Sequence, residues 1–115
     1  MKLDELADAL KLTRLTPSLD VGEVDVTEGY VSDLLSDVLA NSQEGAVLVT
    51  VQVHMNVIAV AVHAGLAAVI FAAGRSPDKL VLDKAVEEGV SLFVSDNSAF
   101  EIAGRLYNLG IKGHA

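Results

Sequence analysis

The chain has 115 residues, no cysteine, and sixteen acidic against eight basic side chains, for a net charge of −8. That length suits one domain able to bury a single core without disulfides or metal clips. The missing thiols exclude disulfides, thiolate metal sites and thiol chemistry and suit a reducing cytoplasm, while the acidic balance leaves little to neutralise a nucleic-acid backbone.

The start, Met1-Lys2-Leu3-Asp4-Glu5-Leu6, carries acids and no long apolar run, unlike a secretory signal. Within an N-terminal helical segment over 1–12, Leu3, Leu6 and Leu10 fall at helical spacing with acids between them. Pro17 and Gly22 then mark a loop that leads to a short strand over 23–26. Over 30–40 the spacing of Val31, Leu34, Leu35, Val38 and Leu39 predicts an amphipathic helix, with Ser32, Asp33, Ser36 and Asp37 on its polar face and Thr27 as its cap.

From there the chain repeats a unit. Gly45, Gly65, Gly89 and Gly110 each follow a helix-like segment and precede apolar, branched residues, at intervals of 20, 24 and 21. A glycine past a helix end takes up the left-handed cap, and the apolar run after it reads as a buried parallel strand. Strands are therefore expected over 46–53, 66–72 and 90–94, with helices over 56–64, 78–88 and from Ser98 to Leu109. The last helix is expected to bury Phe100, Ala103, Leu106 and Tyr107, and the tail, 112–115, to be flexible. The fold class is a single-domain, Rossmann-like α/β protein in three layers, a mostly parallel sheet with helices on both faces.

Residues 57–74 hold His63 as their only ionisable side chain before Arg75, the lower length limit of a membrane span. Gly65 in the middle and the same helix-glycine-strand frame in charged form at 78–94 favour a soluble unit instead. The stretch 57–64 has no polar face, so its helix should be covered by the sheet on one side and by a second copy of the chain on the other.

Loops leaving the carboxyl ends of parallel strands gather along one edge, where open α/β proteins bind ligands. Three qualify here, and they supply Gln52, His54 and Asn56, then Gly74 and Arg75, then Ser95 and Asn97, beside three helix starts able to hold an anion. Helix capping is the simpler role for Asn56, Asp78, Asp96 and Asn97, whereas His54 and Arg75 have no such structural use. No metal site is expected, because His54, His63 and His114 are scattered and Asp33 with Asp37 reads as a solvated acidic face. Templates for a phosphate-binding loop, a dinucleotide glycine pattern and a nucleophile elbow are absent. Where a receiver domain carries its phosphoaccepting aspartate, this chain has Gln52 or Ala72.

Four segments resemble the DRTGG domains: residues 29–38, 52–61, 74–78 and 98–107, within a likeness running over 3–113. These domains are small α/β modules found alone or joined to CBS-pair pyrophosphatases and phosphotransacetylase-like proteins, similar in fold to the N-terminal domain of HPr kinase/phosphorylase. Of the name-giving residues, Asp-Arg falls on Val53-His54 and Thr-Gly-Gly on Ala72-Ala73-Gly74, so only Gly74 is kept. The resemblance implies a noncatalytic regulatory or ligand-sensing module that forms a homodimer and takes no cofactor. With the loop residues above, it leads to a small anionic ligand such as a nucleotide as partner, with no nucleic acid and no membrane. Two alternatives stand beside it: an adaptor presenting Ser32, Asp33, Ser36 and Asp37 to a protein partner, and an enzyme using His54 as general base.

Overall fold

The computed structural model describes residues 1–114; Ala115 lies outside the described residues. Its elements are α1 (Leu3–Ala9), β1 (Thr13–Arg14), β2 (Glu28–Val31), α2 (Leu35–Asn41), β3 (Ala46–Thr50), α3 (Asn56–Ala64), β4 (Ala68–Phe71), α4 (Lys79–Glu88), β5 (Leu92–Val94) and α5 (Ala99–Asn108). They form one five-stranded sheet in the order β1-β5-β4-β3-β2. β2, β3, β4 and β5 are mutually parallel, and the two-residue β1 runs antiparallel against β5.

Every residue of β3 and β4 is buried, as strands covered on both faces require. Alternation sorts their side chains into two cores. Val47, Val49, Ala68, Ile70 and Phe93 meet Leu3, Leu6, Ile102 and Leu106 of α1 and α5 on one face. Leu48, Val69, Phe71 and Leu92 meet Val38, Val57, Ile58, Ala61, Val81 and Ala85 of α2, α3 and α4 on the other. The result is the expected three-layer, mostly parallel α/β architecture.

All four repeated glycines have positive φ, but only two cap a helix: α2 ends at Ser42, before Gly45, and α5 at Leu109, before Gly110. Gly65 and Gly89 sit at helix C-caps with φ of 67° and 74°, the left-handed region that suits a residue without Cβ. Asp78 caps α4 by accepting from the Val81 amide at 3.2 Å, and Ser98 caps α5 by accepting from Glu101 at the same distance.

Several expectations need correction. The strand sought over 23–26 lies at Glu28–Val31; in the earlier stretch only Asp25 bridges, to Lys2. Tyr30 and Val31 are therefore strand residues, and the helix expected from 30 begins at Leu35. Thr27 does not cap it; its hydroxyl donates to the Glu44 carbonyl at 3.2 Å. In α5, Ile102 and Leu106 make the core contact, whereas Phe100 is 87% exposed and Tyr107 57%. The tail has contacts as far as it is described. The Gly29 amide donates to the Lys112 carbonyl at 3.0 Å, Lys112 lies 3.6 Å over the Tyr107 ring, and His114 stacks on Tyr30 while its Nδ1 stands 3.5 Å from Glu28. These contacts lay the chain end along β2, the sheet's edge strand.

The apolar stretch 57–74 divides into α3, the Gly65 turn and β4. No helix among the described residues is long and apolar enough to cross a membrane. α2 and α4 flank α3 on the same face of the sheet. Ala59, Val62 and His63 remain exposed.

Candidate functional site

Three adjacent parallel strands deliver their loops to one edge, in the order β5, β4, β3. The β3 and β4 loops enter α3 and α4 on one face of the sheet, whereas the β5 loop enters α5 on the opposite face. Loops from neighbouring strands thus part company between β4 and β5. That divergence opens the ligand crevice in open α/β sheets. Gly74, Arg75, Ser95 and Asn97 all lie there; Gln52, His54 and Asn56 lie one strand further along.

The two diverging loops are tied together by backbone. Ala73 donates to the Asn97 carbonyl at 2.8 Å and Gly74 to the Ser95 carbonyl at 2.9 Å. Ala73 and Gly74 both have positive φ, 57° and 68°. Two successive left-handed residues turn the chain sharply, and the turn accounts for a glycine at 74, where a Cβ would stand 3.2 Å from Asp96 Oδ1. For alanine at 73 the same conformation is a strain that the Asn97 bond helps to hold. Arg75 follows, fully on the surface, with no ion pair among the described residues. Ser95 is buried, and its hydroxyl accepts from the Asn97 amide at 3.1 Å.

The β3 loop is a chain of local turns. Thr50 Oγ1 accepts from the Gln52 amide at 3.1 Å, Gln52 Oε1 from the His54 amide at 3.2 Å, and His54 Nδ1 from the Asn56 amide at 3.1 Å. His54 thus satisfies a free amide at the start of α3, a structural use that the sequence alone does not show. Because Nδ1 accepts, Nε2 is the proton-bearing nitrogen of the neutral ring. Asn56 was the expected cap, yet its side chain caps nothing; it lines a groove between α3 and α4 of about 360 Å³, with Met55, Val62, Lys84 and Glu88. Asp96 and Asn97, also expected as caps, leave that work to Ser98.

Two residues that sequence reasoning put elsewhere support this edge. Asp33 precedes α2 and, though exposed, accepts from the fully buried Thr50 hydroxyl and from the Val51 amide, both at 2.9 Å. Asp37 accepts from the Tyr30 hydroxyl at 2.8 Å and from the side-chain Nδ2 of Asn41 at 2.9 Å. Asn41 first, then Ser32 and Tyr30, hold the Asp37 carboxyl below the usual range, and the bond to Asp37 holds the Tyr30 hydroxyl above its own. The two acids thus make contacts within the chain while Asp33 and Ser36 stay exposed, so the face is solvated as the sequence suggests. Among the described residues no group of three or more His, Asp or Glu side chains could hold a metal ion.

No family description and no curated protein matches the sequence. Among solved structures the chain is similar to the CBS and DRTGG domains of the regulatory region of Clostridium perfringens pyrophosphatase, a crystal structure complexed with its activator, diadenosine tetraphosphate. The TM-score is 0.68 at 13% identity, over 91% of this chain and 45% of that one. At that identity the likeness shows the fold: a DRTGG-like α/β unit, as the resemblance in sequence implies. The chain spans less than half the length of the structure it matches.

Proposed function

We propose that this chain is a noncatalytic regulatory domain that senses a small anionic ligand, a nucleotide by class, and acts as a homodimer. The observation that carries the reading is the position of Arg75. A guanidinium with no ion pair among the described residues stands where loops part to opposite faces of the sheet, near the start of α4, in a chain that is otherwise strongly acidic. A guanidinium is the chemistry that recognises phosphate, and here it precedes the Asp78-capped start of α4. The activator in the similar structure, diadenosine tetraphosphate, is an anion of this class. Ligand contacts are assigned to Gly74, Arg75, Ser95 and Asn97 at the divergence, with Gln52, His54 and Asn56 bordering it. The cysteine-free sequence suits a cytoplasmic setting.

One observation favours the adaptor reading. Gln52, His54 and Ser95 spend an acceptor on neighbouring amides, as loop side chains do when they serve the fold alone. Against it, the carboxylates of Asp33 and Asp37, the acidic groups such an adaptor would present, already accept from Thr50, Val51, Tyr30 and Asn41, though Asp33 stays exposed. A thermal-shift series with adenine and guanine nucleotides, diadenosine polyphosphates and phosphate separates the two. Ligand at one hundred times its Kd stabilises the native state by about 2.7 kcal/mol. The sensor reading predicts such a shift for wild type and its loss in Arg75→Ala. No shift with any of these ligands overturns it in favour of the adaptor.

A further inference from the structure

Resting on the homodimer reading, we infer that the copies meet through α5 rather than through the apolar α3. Phe100, Ala103, Gly104 and Tyr107 fall at i, i+3, i+4 and i+7, one continuous stripe that points away from the buried Ile102 and Leu106. Phe100 is the most exposed large apolar side chain among the described residues, at 87%. Gly104 sits mid-helix, where glycine costs helix stability. Nothing in the chain asks for it, because a Cβ built there meets no atom within 4 Å. A glycine with open space above it and an aromatic ring on either side suits a second backbone approaching closely. Beside the stripe a groove of about 200 Å³, lined by Gly29, Val31, Ala103, Leu106, Tyr107 and Ile111, runs to the edge strand β2 and extends the apolar surface.

The occupant that fits is another copy of this chain. An antiparallel pairing about a two-fold axis between Ala103 and Gly104 sets Phe100 against Tyr107 of the partner subunit and lets its ring enter the neighbouring groove. Charge agrees. Two bodies of net charge −8 repel except where acids are sparse. The stripe carries one acid, Glu101, against two bases, Arg105 and Lys112, while Glu28 on the adjoining β2 is mostly covered beside His114, and the two-fold brings Glu101 beside Arg105 of the partner subunit. A standard interface takes about 800 Å² per partner. On a molecule whose total surface is 5960 Å² the stripe and groove continue onto the exposed Val31 of β2 and the tail that lies along that strand. On α3 the exposed residues are smaller, and Lys84 at the groove rim is already paired with Glu87 and Glu88.

Sedimentation velocity over a concentration series tests this on the whole chain, with circular dichroism melts as the control for folding. Wild type should be a dimer whose melt rises with concentration, Phe100→Glu and the milder Phe100→Ser monomers that still melt cooperatively and independently of concentration, and Val62→Glu on α3 still a dimer. Gly104→Ala separates interface from fold by sign: its monomer should melt higher, while association weakens at least about tenfold, as overpacking a close contact does. A dimer that survives both Phe100 variants, or one broken by Val62→Glu alone, overturns the α5 interface and leaves the homodimer standing. A wild type that stays monomeric overturns both and leaves the stripe to a different protein.

Discussion

α3 and α5 are a contrasting pair. α3 is apolar all round and looks as though it needs a partner from outside, yet α2 and α4 flank it and the chain itself covers Val57, Ile58 and Ala61. α5 has the stronger amphipathic pattern and looks self-sufficient, yet Phe100 stands in solvent and Tyr107 is covered only by Lys112 on one side. Hydrophobic spacing says which side chains call for cover; it does not say what supplies it. For α3 the supply follows from topology, because α2 and α4 cross on the same face of the sheet. For α5 the only helix sharing its face is the short α1.

Several substitutions sharpen or break that contrast. The largest effects should come from the buried face of each helix, where the two behave alike. Ile58→Ala and Ile102→Ala, each 1% exposed, should cost about 2–5 kcal/mol in urea titrations. If Ile58→Ala proves far cheaper, α3 is not covered as described. Next are the glycines, where the helices should differ in sign. Gly65→Ala places a side chain at φ 67° and should destabilise by more than about 1 kcal/mol, whereas Gly104→Ala should stabilise the monomer by up to about 1 kcal/mol. Removing the caps Asp78 and Ser98 by alanine should cost about 1 kcal/mol each, read from the same titrations.

A smaller effect depends on pH and concerns α2, the neighbour that helps cover α3. Asp37 has its folded pKa lowered, so it binds its proton less readily folded than unfolded. Its contribution is present above the ordinary carboxylate pKa and is lost as pH falls through the lower, folded value. Melts at descending pH should therefore show a steeper acid limb in wild type than in Asp37→Asn. Smallest of all, Phe100→Ser should leave the stability of the monomer within about 0.5 kcal/mol, as surface changes do. A larger loss would mean that Phe100 is covered within its own chain.

Much of the fold was legible because helix ends carry local chemistry. Asn56 to Ala64 emerges with the bounds read from the repeat, although its branched residues alone favour a strand, because Gly65 ends the helix in the conformation glycine suits. Around residues 23–41 the reading slipped. β2 is a short, half-buried edge strand whose Val31 happens to fall at helical spacing from Leu34, Leu35 and Val38, and nothing local marks Leu34 as the boundary. β1, with two residues, is too short for any period to show. The candidate site was legible as a place, since loops at strand ends follow from a parallel sheet. Its side-chain engagements were not. That His54 accepts from Asn56 and that Asp33 reaches Thr50 and Val51 depend on loop shape and on contacts 17 and 18 residues apart. The place where β4 and β5 loops part also depends on α5 crossing to the other face, which no local pattern encodes.

The central claim, an anion-sensing edge between β4 and β5, is tested most directly by titrating diadenosine tetraphosphate into 15N-labelled protein and following the amide resonances. The account predicts saturable shifts concentrated at Ala73, Gly74, Arg75, Ser95, Asp96 and Asn97, and weaker ones at His54 and Asn56. No saturable shifts, or shifts confined to the α3–α4 groove around Met55, Val62 and Lys84, would contradict it.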